Sequence, residues 1–307
     1  MSEPEPLSRA EAVAKARQSF FPHKFADDLP IKDAIMGVFH THIARSDAPP
    51  APIMLPNARI ASIGSCFAEE ISKSLRAQGL EVGYIFMSER WNSAFALAKI
   101  LDNALFGTPI PPGFLGEADS PEMPPETIAQ FLAADMFILT FGLSLCWFEK
   151  ATDQLVLEPG ETHTVTGLKR ALSKFEMRQT TVADNEREIL RCIDLIRKVR
   201  PEAKIVLTLS PVPLQAALTD VSPIPANIIS KSTLRIALAN VTARKLKDVH
   251  YWPSYDFVDW FGAHIASAFG GADGDMRHVK NDLVGIIAQF FKVYYFQPPE
   301  ASATPEQ

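Results

Sequence analysis

The chain has 307 residues, 47% of them apolar and 21% charged, the composition of a globular protein with ample material for a core. Its formal net charge of −6, with no Lys/Arg-rich run, argues against non-specific nucleic-acid binding, which needs clustered cations to neutralise phosphates. The start, Met-Ser-Glu-Pro-Glu-Pro, lacks the basic and apolar parts of a secretory signal, and no apolar stretch approaches the roughly 20 residues that span a bilayer. The expectation is a cytoplasmic protein without a membrane span. Cys66, Cys146 and Cys192 show no paired spacing, so neither a disulfide framework nor a closely spaced Cys/His metal set is predicted.

In chain order, residues 1–54 read as an N-terminal extension. It holds a frayed helix over 8–19, and the proline-rich stretch 46–57 leads as extended chain into the first strand. That strand covers 59–63 and runs into Gly64. A helix over 68–78 follows, with Ile71 and Leu75 four apart and Gly79 closing it. Asn92 is placed to cap a second helix over 94–105. Residues 109–125 are rich in proline and read as a surface loop.

The apolar run Met136-Phe137-Ile138-Leu139-Thr140-Phe141 predicts a strand buried on both faces. A long helix over 181–200 carries Ile189, Ile193 and Ile196 at helical spacing, and Pro201 stops it. A strand over 204–209, a helix over 230–247, a short strand over 249–252 and a last helix over 281–291 complete the pattern. The polar tail 298–307 reads as disordered. Strands alternating with long helices imply an α/β fold, a parallel sheet with helices on both faces. Residues 55–297 form one domain in this reading, because one strand and two helices ahead of the 109–125 loop cannot close a core.

Ligands of parallel sheets bind beyond the carboxyl ends of the strands. The loop Gly64-Ser65-Cys66-Phe67 occupies that position immediately before a helix. A nucleophile there gains from helical N–H groups, which lower a thiol pKa and stabilise an oxyanion. The same residues also suit a tight turn with Ser65 as N-cap and Cys66 packed inside. Asp275 and His278, three apart before the last helix, can share one turn, the carboxylate orienting the imidazole and the imidazole acting as base. They also suit a plain polar loop.

Other residues carry weaker signals. His163 lies in a polar loop, His250 and His264 have no partner pattern, and Trp147 and Trp252 suit core or pocket walls. Residues 270–274 have the composition of a calcium loop without its acidic spacing. Lys231 and Arg235, one helical turn apart, suit either an anionic substrate or a solvated face. No Gly-x-Gly-x-x-Gly or Walker A run occurs.

The stretch Ile60-Ala61-Ser62-Ile63-Gly64-Ser65-Cys66-Phe67-Ala68-Glu69-Glu70-Ile71 resembles the signature of the GSCFA domain family, relatives of the SGNH/GDSL hydrolases. Trp91-Asn92-Ser93, Leu139-Thr140-Phe141-Gly142, Leu209-Ser210-Pro211-Val212-Pro213, Ser230-Lys231-Ser232-Thr233-Leu234-Arg235 and Tyr251-Trp252-Pro253-Ser254-Tyr255 extend the resemblance over roughly residues 55 to 295. It implies a flavodoxin-like three-layer α/β/α domain, like that of the SGNH hydrolases. Those hydrolases carry Gly-Asp-Ser-Leu after the first strand, with Ser as nucleophile. Laying Gly64 on that Gly puts Cys66 on the nucleophile; a one-residue shift puts Ser65 there. Cys66 is preferred, because the Gly sets the turn and the residue two later faces the site. Asp275 and His278 match the hydrolases' Asp-x-x-His pair.

For the oxyanion the resemblance implies Gly142, but Leu143-Ser144 stands where the hydrolases have Asn-Asp. Asn92 is the substitute, with a helix N-cap as its other reading, and Ser144 is kept as a substrate-binding candidate. The expected function is ester-directed acyl transfer, as esterase or O-acyltransferase, on an acylated carbohydrate or other small acyl substrate. No cofactor is called for, although acyl-CoA would suit as acyl donor. The alternative is a non-catalytic carbohydrate- or partner-binding module on the same fold.

Overall fold

A computed structural model describes residues 21, 31–44, 48–90, 92–110, 125–157, 159–160, 162, 164–271 and 274–298. Its centre is β3 (Met136–Phe141), buried at every position as its unbroken apolar run implies. On one side β3 pairs with β1 (Arg59–Gly64), which pairs in turn with β2 (Glu81–Phe86). On the other side come β7 (Lys204–Leu209) and then β8 (Val249–Trp252). All pairings are parallel and the order is β2-β1-β3-β7-β8, the flavodoxin-like doubly wound arrangement.

Successive side chains of a strand point to opposite faces, and two separate cores result. Ala61, Ile63, Phe137, Leu139, Ile205 and Leu207 pack with α3 (Ala94–Phe106), α6 (Val182–Val199) and α7 (Pro223–Ala243). Ile60, Met136, Ile138 and Val206 pack on the other face, with α1 (Ile31–Val38) and its π-helical extension Phe39–Ile43, α2 (Cys66–Ala77), α8 (Ser254–His264) and α9 (Asn281–Tyr295). The fold is therefore the three-layer α/β/α sandwich that the sequence implies. Among the described residues, no helix is long and apolar enough to cross a membrane.

Several boundaries differ from expectation for identifiable reasons. Among the described residues two strands, not one, precede the proline-rich segment, because β2 is an edge strand with only Val82 and Ile85 buried and shows no clear alternation. Helix α7 begins at Pro223 rather than 230: prolines in a helix's first turn forfeit N–H groups that have no partner there anyway. It ends at Ala243 rather than 247, before Lys245 and Asp248, both at positive φ. Pro125 opens α4 (Pro125–Leu132) instead of closing a loop. Among the described residues, α1 with its π-helical extension, α4, α5 (Val165–Lys174) and α8 went unforeseen, as did an antiparallel sheet of order β5-β4-β6, built from Leu155–Val156, Leu145–Glu149 and Phe175–Gln179. Residues 48–57 hold no helix, and the Ile53 and Met54 N–H groups donate to Tyr295 O at the end of α9. The predicted helix 8–19, most of the 109–125 loop and nearly all of the tail lie outside the described residues.

Candidate functional site

The chain leaves β1 toward β2 on one side and reaches β3 on the other, so the strand order reverses between β1 and β3. Crevices form at such a switch point, beyond the strands' carboxyl ends. Gly64 closes β1 there against its neighbours. A Cβ at this position would stand 2.7 Å from Thr140 Cβ and 2.8 Å from Ala68 Cβ, so only glycine lets the turn sit this close to β3. The Tyr84 hydroxyl braces the turn by donating to Gly64 O (2.9 Å) and Ser65 O (3.2 Å).

The two residues after Gly64 go different ways. Ser65 is the N-cap of α2 and is buried, its Oγ accepting from Asn92 Nδ2 at 3.1 Å. Cys66 begins the helix, is half-buried, and lines a cavity of about 290 Å³ together with Phe67, Val212, His278, Val279 and Val284. Its Sγ lies 4.0 Å from Glu89 Oε2. Donor atoms of Cys66, Glu89 and His278 all lie within 4.8 Å of one another. These three residues, distant in sequence, are also the trio among the described residues that could hold a metal ion. A guanidinium already faces Glu89, however: Arg277 Nη1 and Nη2 lie 3.2 and 3.3 Å from its two carboxylate oxygens.

Arg277 links the acidic groups of the site. Besides Glu89 it donates to Asp275 from its backbone N–H (2.8 Å) and from its side chain (2.9 Å), bonds that hold the half-buried Asp275 carboxyl below its ordinary pKa. His278 Nε2 stands 3.8 Å from Asp275 Oδ2, ion-pair distance rather than a hydrogen bond. Asp275 and His278 thus come together as their spacing suggested, and His278 meets Cys66 across the cavity. Arg277 and Glu89 were not foreseen.

The thiol's electrostatics run opposite to expectation. Burial first, and then the Glu89 carboxylate, push the Cys66 pKa up; hydrogen bonds from Ser65 and the Phe67 backbone and the Arg277 charge offset this in part. The N-terminal helix position does not produce a resting thiolate.

Asn92 does not cap α3, a role taken by Ser93, whose Oγ accepts from Ala96 N. Asn92 is buried against the end of β3 instead. Its carbonyl accepts from the Gly142 and Leu143 N–H groups, its amide reaches Ser65, and its Oδ1 is buried without a hydrogen-bond partner. The Gly142 N–H is therefore engaged by Asn92. The Ser144 hydroxyl is fully buried in a network with Ser230 and Gln179, away from solvent.

Lys231 is neither solvated nor at the surface. Its side chain is 1% exposed, with Nζ donating to Gly142 O (2.7 Å) and Ser210 O (2.8 Å), the carbonyls just beyond β3 and β7. Burial draws its pKa from 10.5 down to about 7. Arg235 pairs with Asp256 and lies over the Tyr251 ring. Trp252 is core, while buried Trp147 lines a second cavity. His250 is half-buried, its pKa lowered by that burial, and His264 packs on Trp260. His163 and part of the 270–274 loop lie outside the described residues.

The model of the GSCFA family matches residues 122–291, more than half the chain. The Gly64-to-Ala68 signature lies ahead of the matched part. No curated protein matches the sequence. Among solved structures, the chain is similar to a family 2 carbohydrate esterase with a carbohydrate-binding domain from Corynascus thermopiles (Myceliophthora fergusii). Identity there is 15%, over 80% of this chain and 68% of that one, at a TM-score of 0.40. A putative GDSL-like lipase from Parabacteroides merdae is 12% identical over 79% of this chain and 97% of its own, at 0.41. A family 2 carbohydrate esterase from Cellvibrio japonicus is 16% identical over 78% and 61%, at 0.38.

Proposed function

For this chain, which belongs to the GSCFA family, we propose nucleophilic acyl transfer in which Cys66 attacks an ester carbonyl. The observation that carries the reading is the meeting of Cys66, Glu89 and His278 within 4.8 Å, with Cys66 and His278 lining a cavity beyond the carboxyl end of β1. Ser65 is the poorer nucleophile, being buried and bonded to Asn92.

Because burial and Glu89 keep the thiol protonated, attack and deprotonation are coupled. Cys66 Sγ bonds to the carbonyl carbon while His278 takes the thiol proton. Asp275, held by Arg277, supports the imidazolium. The tetrahedral oxyanion is met by N–H groups at the start of α2, with the second N–H of the Asn92 amide, whose first donates to Ser65 Oγ, as the adjacent side-chain donor. As the carbon–oxygen bond to the alcohol breaks, His278 returns its proton to the departing oxygen, leaving a thioester on Cys66. Water then yields an acid, or an acceptor hydroxyl yields a new ester, and the thiol is restored. A glycan alcohol, with acyl-CoA as a further donor in a cytoplasmic setting, fits this chemistry.

One observation favours the competing reading, a carbohydrate- or partner-binding module: the Gly142 N–H is spent on Asn92 rather than left for an oxyanion. Turnover of p-nitrophenyl acetate separates the two. We expect it in the native protein, with a loss of roughly 10²–10⁴-fold in His278→Ala, the usual contribution of a general base. Turnover that survives this substitution sinks the mechanism.

A further inference from the structure

We propose that a second cavity, walled by Leu143, Leu145, Trp147, Leu157, Met177 and Leu218, is the subsite for the acyl chain, and that the chain it takes is apolar and of medium length. This deepens the acyl-transfer reading and rests on it. The cavity measures about 270 Å³ and lies between the segment after β3 and the antiparallel sheet of β4, β5 and β6.

Three observations point the same way. First, Glu89 links the cavity to the candidate site: it lines the cavity, and its Oε2 is 4.0 Å from Cys66 Sγ. Second, the mechanism divides the substrate between two sides. His278 must reach the departing oxygen, so the alcohol lies in the cavity that His278 lines. There Glu69, Glu70 and Asn281 offer the polar partners that a hydroxyl-rich alcohol needs. The acyl group then needs a separate space, and the second cavity, which Glu89 lines and His278 does not, supplies it. Third, the walls match an alkyl chain. Leu143, Leu145, Trp147 and Leu157 are all buried, and the charged members, Glu89 and Arg90, come from the loop between β2 and α3.

An acetyl group would leave most of this space unfilled. A cavity of about 150 Å³ accepts the six carbons of benzene, so one of about 270 Å³ suits a chain of roughly ten carbons.

The test is a series of p-nitrophenyl esters from acetate to dodecanoate with the native protein. Each methylene that enters the cavity should raise kcat/KM about fourfold, the gain of burying one CH₂. The rise should stop at about ten carbons. In Leu218→Trp, which adds a ring at the half-buried edge of the cavity, the octanoate-to-acetate ratio should collapse toward one. A flat or falling profile, with acetate turned over in a Cys66-dependent way, overturns the subsite and leaves acyl transfer standing. Absence of turnover at every length, or turnover that persists in Cys66→Ala, overturns both.

Discussion

Replacing Lys231 by Met probes the least expected group at the site. The native ammonium is buried with two carbonyl acceptors, Gly142 O and Ser210 O, and burial lowers its pKa from 10.5 to about 7. The unfolded chain holds this proton up to about pH 10.5, whereas the folded protein releases it near 7. The unfolded state thus binds more protons across that window, and stability climbs with pH. The contribution is complete above the unfolded value and is lost as pH falls through about 7. Integrating the proton difference from about pH 7 to about pH 9.5 gives about 3 kcal/mol, at roughly 1.4 kcal/mol per unit. Urea unfolding of the native and Lys231→Met proteins at both pH values isolates this increment, because the other titrating groups cancel in the difference. The stability gap between the two proteins should change by about 3 kcal/mol. At the higher pH the variant should be the weaker, since each orphaned carbonyl costs about 1–3 kcal/mol. Identical pH dependence in the two proteins would refute the reasoning, for it would mean that Lys231 does not titrate in this window.

Two other substitutions follow from the turn around Cys66. Gly64→Ala forces a Cβ to within 2.7 Å of Thr140 and 2.8 Å of Ala68, and should destabilise the fold by about 1–3 kcal/mol in chemical denaturation and depress ester turnover. Glu89→Gln removes the carboxylate that helps raise the Cys66 pKa and leaves the Arg277 charge nearby. The thiol pKa should fall, and iodoacetamide labelling of Cys66 near neutral pH should quicken. An unchanged rate would remove Glu89 from the electrostatics of the thiol.

Legibility in the sequence tracked how local the determining physics is. Strands β3 and β7 match the predicted 136–141 and 204–209, because continuous apolar runs bounded by polar residues state a buried strand without outside help. The Asp275–His278 approach was readable because three residues of one chain segment fix it. Glu89 was not: it stands in the loop after an edge strand that itself went unseen, and only the fold brings it to Cys66 and Arg277. Arg277 looked like filler between two more conspicuous residues. Lys231 left a signal that composition hides. It lies three residues before Leu234 and seven before Leu238, on the buried stripe of α7, so helical periodicity places it inside. The thiol's raised pKa was misjudged because position at a helix start is visible in sequence, whereas burial and the Glu89 charge are not.

The most direct test of the central claim is to mix the protein with a p-nitrophenyl ester, quench it during turnover, and map the acylated peptide by mass spectrometry. We expect the acyl group on Cys66 as a thioester, cleared by hydroxylamine and absent in Cys66→Ala. An acyl group on Ser65, or turnover with neither residue acylated, would contradict Cys66 as the attacking group.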